Sequence, residues 1–307
     1  MTFARVLAPA KVTPWLAVLG PRADGFHEVD LGLLALDLSD VVEARLTHDD
    51  TVHLELRGPA VTEDVPADEH NLVWRAAQAV RRLGEEYDHR GVALRLEKYV
   101  PSRAGLGGGS SDAAAACLAT ALVLGFEPHQ WADELQAILT ELGSDCPFFL
   151  AAAQTGYARG TGRGEQLEVL PAVPDSWHVV VVTPAVELST RAVYARVAVG
   201  EPDPRRRVCS VDFSGTGDEV RAALYNDLEA PALAMAPELV EWRELLDAAA
   251  PGARMSGSGS SFFALFRDRA HAEARLAEIL AAAKRRRLAV RGAWVTRPAH
   301  HGVRRIP

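Results

Sequence analysis

Hydrophobic and polar positions along this chain recur with two periods, one typical of strands and one typical of helices. Residues 92–98 alternate apolar and mixed side chains, as a half-buried strand does. Residues 113–124 are helix formers, and the Gly and Pro that follow predict that this helix stops there. Apolar side chains at 131, 135, 138, 139 and 142 repeat with helical spacing. Continuous apolar runs at 177–182 and 262–266 predict buried strands, the second of them central in a sheet.

This order of elements predicts an α+β fold of two domains with a cleft between them. Residues 1–160 are expected to form a mixed α/β domain, and residues 161–307 an α/β sandwich. A polar, proline-bearing connection at 202–207 falls inside the second part, and the chain contains no internal repeat. Substrates are expected to bind in the cleft.

A glycine-rich segment joins the strand at 92–98 to the helix at 113–124. It reads Pro-Ser-Arg-Ala-Gly-Leu-Gly-Gly-Gly-Ser-Ser-Asp from 101 to 112, with four glycines in five positions. Glycines leave backbone N–H groups uncovered, and the positive end of the following helix points at the same place, so the segment predicts a phosphate site. Ser110 or Ser111 is expected to cap the helix, with Asp112 in its first turn. A flexible linker is the alternative, but linkers seldom lie between a strand and a capped helix.

The sequence does not match the motifs of several common classes of nucleotide-binding and hydrolytic enzyme. A Walker loop needs Lys and then Ser or Thr after its last glycine, and here Gly109 is followed by Ser110. The dinucleotide fingerprint counted from Gly105 has Ser110 at its third glycine position. The sequence contains no His-Arg-Asp, Asp-Phe-Gly or Gly-x-Ser-x-Gly motif, which argues against protein kinases and serine hydrolases.

Composition restricts the partners of the protein. The net charge of −8 and pI near 5.7 argue against nucleic acid, and the basic run at 284–287 is expected to be a solvated helix end. Cys117, Cys146 and Cys209 have no metal or redox spacing, so reduced thiols are expected. With no run of 18 apolar residues and no signal pattern, we expect a cytoplasmic protein without a membrane partner.

Three further segments contain residues that are candidates for catalysis or ligand binding. Lys11 interrupts an apolar strand at 8–19, and a lysine there needs an edge position or a charged partner. Asp145 follows the helix-ending Gly143, where a capping carboxylate and a catalytic one are equally consistent with the pattern. The Gly-Ser segment at 256–261 precedes a strand, and such turns are usually structural.

Taken together, these segments resemble the GHMP superfamily of small-molecule kinases. Residues 101–112 are similar to its Pro-x-x-x-Gly-Leu-Gly-Ser/Gly-Ser-Ser motif, and residues 143–149 and 255–259 to two others. Pro-Ala-Lys at 9–11 and Arg-Ala-Asp-Gly-Phe-His at 22–27 look most like one branch, which phosphorylates a cytidyl-bearing alcohol of the non-mevalonate isoprenoid pathway. Asn-Asp-Leu-Glu at 226–229 is a smaller match.

The resemblance implies an ATP-dependent kinase with Mg²⁺, a small-molecule substrate, and a monomer or weak homodimer. Lys11 and Asp145 are then the catalytic pair. Phe26, His27 and Tyr194 are expected around the cytosine ring, with Gly257 and Ser258 also binding substrate. Asn71 and Lys98 are expected near the adenine, and Ser110 or Ser111 near the metal. The remaining ATP-binding positions are those of the phosphate loop, residues 101–111: Pro101, Ser102, Arg103, Ala104, Gly105, Leu106, Gly107, Gly108, Gly109, Ser110 and Ser111.

Two departures from the family pattern keep alternatives open. Thr13-Pro14 stands where the family has Asn, and Arg103-Ala104 replaces a glycine pair. The alternatives are another kinase of the superfamily (for homoserine, a sugar or a mevalonate-type alcohol), a related ATP-dependent decarboxylase, and a nucleotide binder without turnover.

Overall fold

The computed structural model describes residues 3–63, 65–84, 90–197 and 210–307. Cys209 and the expected connection at 202–207 lie outside these residues. The strands of the described part are β1 (Phe3–Val12), β2 (Trp15–Pro21), β3 (His27–Leu46), β4 (Val52–Arg57), β5 (Val92–Glu97), β6 (Tyr157–Thr161), β7 (Gln166–Val169), β8 (His178–Pro184), β9 (Tyr225–Asn226), β10 (Arg254–Met255), β11 (Phe262–Phe266), β12 (Val290–Thr296) and β13 (Arg304–Ile306).

The first sheet is organised around β3, a strand of 20 residues. Its first part pairs antiparallel with β2 and β6, and its later part pairs antiparallel with β1 and β5. One strand therefore has different neighbours at its two ends. Lys11 on β1 lies opposite Ala35 on β3, and on the other side of β1 its N–H meets the phosphate loop instead of another strand, with its side chain buried.

A second sheet contains β10, β11, β8 and β12 in that order, all antiparallel. The side chains of Phe262–Phe266 and of most of β8 are buried on both faces, so the two apolar runs form the interior strands of this sheet. The predictions of strands at 177–182 and of a central strand at 262–266 are confirmed.

Helices cover the sheets within the described ranges. They are α1 (Leu72–Arg81), α2 (Gly108–Leu124), α3 (Ala132–Leu142), α4 (Cys146–Ala151), α5 (Thr190–Tyr194), α6 (Gly217–Ala223), α7 (Glu229–Met235), α8 (Pro237–Ala249) and α9 (Arg269–Arg286). None of them combines the length and apolarity that a bilayer crossing requires. The alanine-rich α2 is buried along most of its length against β1, β3 and α1, because small side chains allow close approach.

The start of α2 differs from the sequence prediction. The helix begins at Gly108, with Gly107 in the left-handed conformation as its N-cap, and no side chain caps it. The expected capping by Ser110 or Ser111 is therefore wrong, since both lie within the helix. As a result the first N–H groups of α2 are those of the glycine run itself. The predicted stop is confirmed, because Gly125 is the C-cap in the left-handed conformation.

The first sheet takes strands from both halves of the chain. β9 pairs parallel with β2, and β13 pairs antiparallel with β1, although both come after residue 220. The expected boundary at residue 160 falls inside β6, which pairs with β7. The division into residues 1–160 and 161–307 stays a prediction.

Candidate active site

One cavity of about 1200 Å³ brings together segments that are far apart in sequence. Its walls are the phosphate loop, the β1 lysine, the start of α4, the segment before and within α5, and the turn between β10 and β11. Most of the predicted site residues line it: Lys11, Phe26, His27, Pro101, Arg103, Ala104, Gly105, Gly107, Gly108, Gly109, Ser110, Asp145, Tyr194, Gly257 and Ser258. Four predicted residues of the set, Asn71, Lys98, Leu106 and Ser111, are buried outside the lining, and Ser102 is also outside it.

The phosphate loop is fixed by backbone contacts on both sides. The Lys11 N–H donates to the Leu106 carbonyl at 2.8 Å, and the Ser261 N–H donates to the Ala104 carbonyl at 3.0 Å. The Ser256 hydroxyl donates to the Gly105 carbonyl at 2.8 Å. A Cβ on Gly105 would lie 2.1 Å from the Ser256 carbonyl oxygen, and Gly105 has φ +76°. Only glycine fits there, so the loop and the β10–β11 turn are packed backbone to backbone.

Lys11 and Asp145 meet at the floor of the cavity. The Lys11 ammonium is 3.4 Å from a carboxylate oxygen of Asp145 and 3.2 Å from the Thr13 hydroxyl. Lys11 is 4% exposed, whereas the Asp145 side chain is 33% exposed and faces the cavity. The buried lysine therefore has the charged partner that its position demands. Thr13, at the departure from the family pattern, contacts the ammonium directly.

Arg103, the other departure, lies at the rim of the loop. It has φ +51°, a conformation unusual for a residue with a Cβ, and its side chain is exposed. Its guanidinium is 4.0 Å from a carboxylate oxygen of Glu187, which also lies 3.4 Å from Arg291. Glu187 belongs to the segment before α5, so this ion pair links the loop to the opposite wall.

Aromatic side chains occupy one end of the cavity. The rings of His27 and Tyr194 are 5.4 Å apart and tilted by 31°. Phe26 is about half exposed, with the Arg163 guanidinium 5.0 Å from its ring centre. Burial, together with nearby Asp145, raises the pKa of the Tyr194 hydroxyl, which stays neutral. An aromatic surface of this kind can stack against a flat ring.

Lys98 is buried outside the cavity lining, and its predicted contact with adenine stays a prediction. Its ammonium is buried under the phosphate loop, 2.6 Å from Asp40 and 2.7 Å from Asp112. We call Lys98, Asp40 and Asp112 the buried ion triad. Asp40 also accepts the backbone N–H groups of Tyr99 and Val100, so the triad ties β3 to the end of β5 and to α2. Asp112 is the fifth residue of α2, so the expectation that it lies in the first turn is wrong, because the helix begins earlier, at Gly108.

Charges within the buried ion triad are unequal. Burial disfavours the charged form of Lys98, but the two carboxylates outweigh this and raise its pKa above the ordinary value. Burial also raises the pKa of Asp112 well above its usual range. Asp112 accepts only from Lys98, and its other carboxyl oxygen is buried without a hydrogen-bond partner. Asp40, with three donors, is therefore the carboxylate that balances the ammonium.

Asn71 is the N-cap of α1 rather than part of the cavity lining. Its side chain accepts from the Val73 N–H at 2.9 Å and donates to the Pro66 carbonyl at 2.6 Å. The predicted contact of Asn71 with adenine stays a prediction.

Ser110 lines the cavity, whereas Ser111 is fully buried and its hydroxyl has no partner among the described atoms. Of the two, only Ser110 is among the residues that line the cavity, and the predicted contact with a metal stays a prediction. The neighbouring Cys146 is buried beneath it, and burial raises the pKa of that thiol to about 12. A thiol so hard to ionise is a packing residue, not a nucleophile.

Sequence reasoning missed several residues that shape the cavity. Arg163 and Arg191 line it. Arg163 belongs to a segment, residues 160–165, that is only a small match to the family, and Arg191 belongs to no segment that the sequence singled out. Asn226 was seen only as a weak match, yet its side-chain amide donates to the carbonyls of Met255 (2.8 Å) and Gly257 (2.7 Å) and so holds the β10–β11 turn. Only the Asn-Asp-Leu-Glu segment gave a signal for this.

Known proteins match the chain along most of its length. The family profile "GHMP kinases N terminal domain" matches residues 71–152, and "GHMP kinases C terminal" matches residues 210–285. The chain is 39% identical over 280 residues to the 4-diphosphocytidyl-2-C-methyl-D-erythritol kinase of Geobacter sp. (strain M21), an alignment that covers 90% of this chain and 94% of that protein.

Two solved structures are similar to the fold. A crystal structure of a 4-(cytidine 5'-diphospho)-2C-methyl-D-erythritol kinase is 31% identical, with a TM-score of 0.69 over 96% of this chain and 100% of that one. A homoserine kinase from Cytophaga hutchinsonii has a TM-score of 0.73 over 100% of this chain and 98% of that one, at 20% identity. At this identity the similarity supports the fold alone.

Proposed function

Because the chain belongs to the GHMP kinase family, we propose that it transfers the γ-phosphoryl group of ATP to a hydroxyl of 4-diphosphocytidyl-2-C-methyl-D-erythritol. The observation that carries this proposal is the arrangement of one cavity. The phosphate loop, the Lys11–Asp145 pair and the His27–Tyr194 aromatic pair all line it. Such a cavity offers places for a triphosphate, a reacting hydroxyl and a nucleobase.

Phosphoryl transfer needs positioning and charge neutralisation more than covalent chemistry. The N–H groups at the start of α2 and the helix dipole are suited to the phosphates of ATP. Since the cap of α2 is Gly107, no side chain caps the helix, and Gly107, Gly108 and Gly109 line the cavity, those groups remain available to a ligand.

Asp145 is assigned as the proton acceptor for the substrate hydroxyl. Its carboxylate is partly exposed to the cavity, and Lys11 stands 3.4 Å behind it as a buried cation. The lysine favours the ionised carboxylate and stabilises negative charge that develops on the attacking oxygen. A neutral Asn at position 145 could hold the hydroxyl but could not take its proton.

The donor set also fits Mg²⁺. Mg²⁺ prefers oxygen ligands and usually binds through one or two carboxylates plus the phosphates of the substrate. The Ser110 hydroxyl is an oxygen donor on the cavity wall, and together with phosphate oxygens of ATP it would hold the ion. When bound, it neutralises phosphate charge; the chain itself supplies the orientation and the proton acceptor.

The cytosine ring is assigned to the aromatic end of the cavity. Tyr194 and His27 offer faces for stacking, Phe26 leaves half of its surface to solvent, and the ring nitrogens of His27 can bond to the edge of the base. This end is walled by the turn at 22–27 that precedes β3, which is also the segment most similar to the cytidyl-specific branch.

The test compares Asp145→Asn with Asp24→Asn, which removes a carboxylate from the other end of the same cavity. Each enzyme is incubated with ATP, Mg²⁺ and a panel of alcohols, and products are identified by mass. We expect Asp145→Asn to lose about 10²–10⁴-fold in kcat with ATP affinity retained, and Asp24→Asn to keep its kcat.

Wild-type turnover by Asp145→Asn would refute the assignment of the base. Phosphorylation of homoserine or mevalonate but not of the cytidyl alcohol would refute the proposed substrate. Release of carbon dioxide, or no ADP with any alcohol, would refute the proposed reaction.

A further inference from the structure

The cations that line the cavity are not equivalent. Four cationic side chains (Lys11, Arg103, Arg163 and Arg191) and three carboxylates (Asp24, Asp145 and Glu187) line it. The cavity is therefore net positive in a chain whose net charge is −8. A positive cavity in a negative protein focuses anionic ligands onto its walls.

Three of the four cations already have an acidic partner. Lys11 is paired with Asp145, Arg103 with Glu187, and Arg163 with Glu165 at 3.7 Å. Arg191 is exposed, and among the described residues no carboxylate lies within 4.0 Å of its guanidinium. A cation that lines a cavity without an internal counter-ion is available to an anion of the ligand.

Arg191 lies between the two ends of the cavity. It is on α5 three positions before Tyr194, so the two residues share a face of the helix. The preceding residue, Thr190, has its hydroxyl 2.8 Å from that of Ser258, which joins α5 to the β10–β11 turn. Gly257 of that turn lies beside Lys11, because a Cβ there would be 3.2 Å from the ammonium. Lys11 therefore lies beside the Gly257–Ser258 turn, the turn is bonded to Thr190, and Arg191 and Tyr194 follow on α5.

The proposed substrate has the same order of groups. A diphosphate separates its cytosine end from the alcohol that accepts the phosphoryl group. We infer that Arg191, with the Thr190 and Ser258 hydroxyls beside it, binds the diphosphate of the cytidyl substrate and so contributes to substrate specificity. This inference rests on the proposed function, because it takes the aromatic end as the nucleobase site.

The chemistry of Arg191 is suited to this role. A guanidinium forms paired hydrogen bonds with phosphate oxygens, and such charge-assisted bonds are stronger than neutral ones. A second source of the same anion is the triphosphate of ATP. That source is less consistent with the position of Arg191 on α5, three residues before Tyr194 and outside the glycine run of the phosphate loop, and the experiment separates the two.

The experiment measures binding of cytidine and of cytidine diphosphate to Arg191→Ala, with Arg196→Ala as the control. Arg196 is an exposed arginine just after α5 that does not line the cavity. We expect wild-type enzyme and Arg196→Ala to prefer the diphosphate by about tenfold or more, and Arg191→Ala to lose that preference while binding cytidine normally. Arg191→Lys keeps the charge and should retain most of the preference. With the full substrate, Arg191→Ala should raise KM at least about tenfold, with KM for ATP within about twofold.

Other outcomes would overturn the inference. An unchanged diphosphate preference in Arg191→Ala, an equal loss of cytidine binding, or a KM effect confined to ATP would each do so. If wild-type enzyme binds neither cytidine nor cytidine diphosphate, the proposed function fails, and the inference fails with it. The two failures are therefore distinguishable in one titration.

Discussion

The same conservative change should lower the free energy of unfolding by very different amounts at the two carboxylates of the buried ion triad. Asp40→Asn and Asp112→Asn each replace a buried carboxylate that contacts the Lys98 ammonium by an amide of the same shape. We expect the first to destabilise the fold strongly and the second to cost little. The difference arises from the number of donors that each carboxylate accepts.

Asp40 accepts from Lys98 and from the backbone N–H groups of Tyr99 and Val100. An amide has one acceptor oxygen, so its NH₂ group must face at least one of these buried donors. Breaking a buried ion pair of this kind costs about 3–5 kcal/mol in the free energy of unfolding. Asp112 accepts only from Lys98, and an amide there can keep that bond and place its NH₂ where an oxygen now has no partner. Its cost is therefore expected to be below about 1 kcal/mol.

The two variants also differ in their dependence on pH. Burial raises the pKa of Asp112, so the native state binds its proton more readily than the unfolded state does. This contribution is fully present below the unfolded pKa of about 3.9 and is lost as the pH rises through the native pKa. The Asp112→Asn variant has no carboxyl group to ionise at this position. Its free energy of unfolding relative to that of the wild type should therefore increase as the pH is raised above about 4.

Urea unfolding followed by tryptophan fluorescence measures both effects, since Trp15, Trp177 and Trp242 are buried. The titration is repeated at several pH values for the wild type and both variants. An Asp112→Asn variant as unstable as Asp40→Asn, or an Asp40→Asn variant within about 1 kcal/mol of the wild type, would refute the reasoning.

Two further changes test the contacts between the phosphate loop and the β10–β11 turn. Gly105→Ala should lower the free energy of unfolding by more than about 1 kcal/mol, because Gly105 has φ +76° and the new Cβ would clash with the Ser256 carbonyl. Gly109→Ala, which has nothing near its Cβ, is the matched control. Equal urea midpoints for the two variants would contradict the expectation. Asn226→Ala leaves the Met255 and Gly257 carbonyls without their donor and should lower kcat with little change in the KM for ATP. Steady-state kinetics check this, and an effect on KM for ATP alone would count against it.

The fold was predictable where the local pattern and the tertiary environment agree. The strand at 92–98, the helix at 131–142 and the strands at 177–182 and 262–266 have a period or a composition that only one kind of element satisfies. The α+β class follows from their order. The start of α2 was not predictable, because serine is a common N-cap and only the packing of the loop against the β10–β11 turn brings the glycines themselves into the helix.

Within the candidate site, the pattern indicated Lys11 and Asp145 but not the burial of Lys98. Lys11 interrupts an apolar strand, and its need for a partner is visible in the sequence. The position of Lys98 at the end of an alternating strand is compatible with a solvent-facing side chain, and its carboxylates are 58 and 14 positions away in the chain. Arg191 was not predictable either, since an arginine on a short helix is ordinary until the structure shows that it lines the cavity.

The return of β9 and β13 to the first sheet has a consequence for biosynthesis. During translation β1 and β2 leave the ribosome with their outer edges unpaired, and the strands that cover them are made only after residue 220. Exposed strand edges are templates for pairing with other chains, so the nascent protein passes through an aggregation-prone stage that lasts until β13 has been made. A chain truncated before residue 304 would contain all of the residues assigned to catalysis and an uncovered β1 edge.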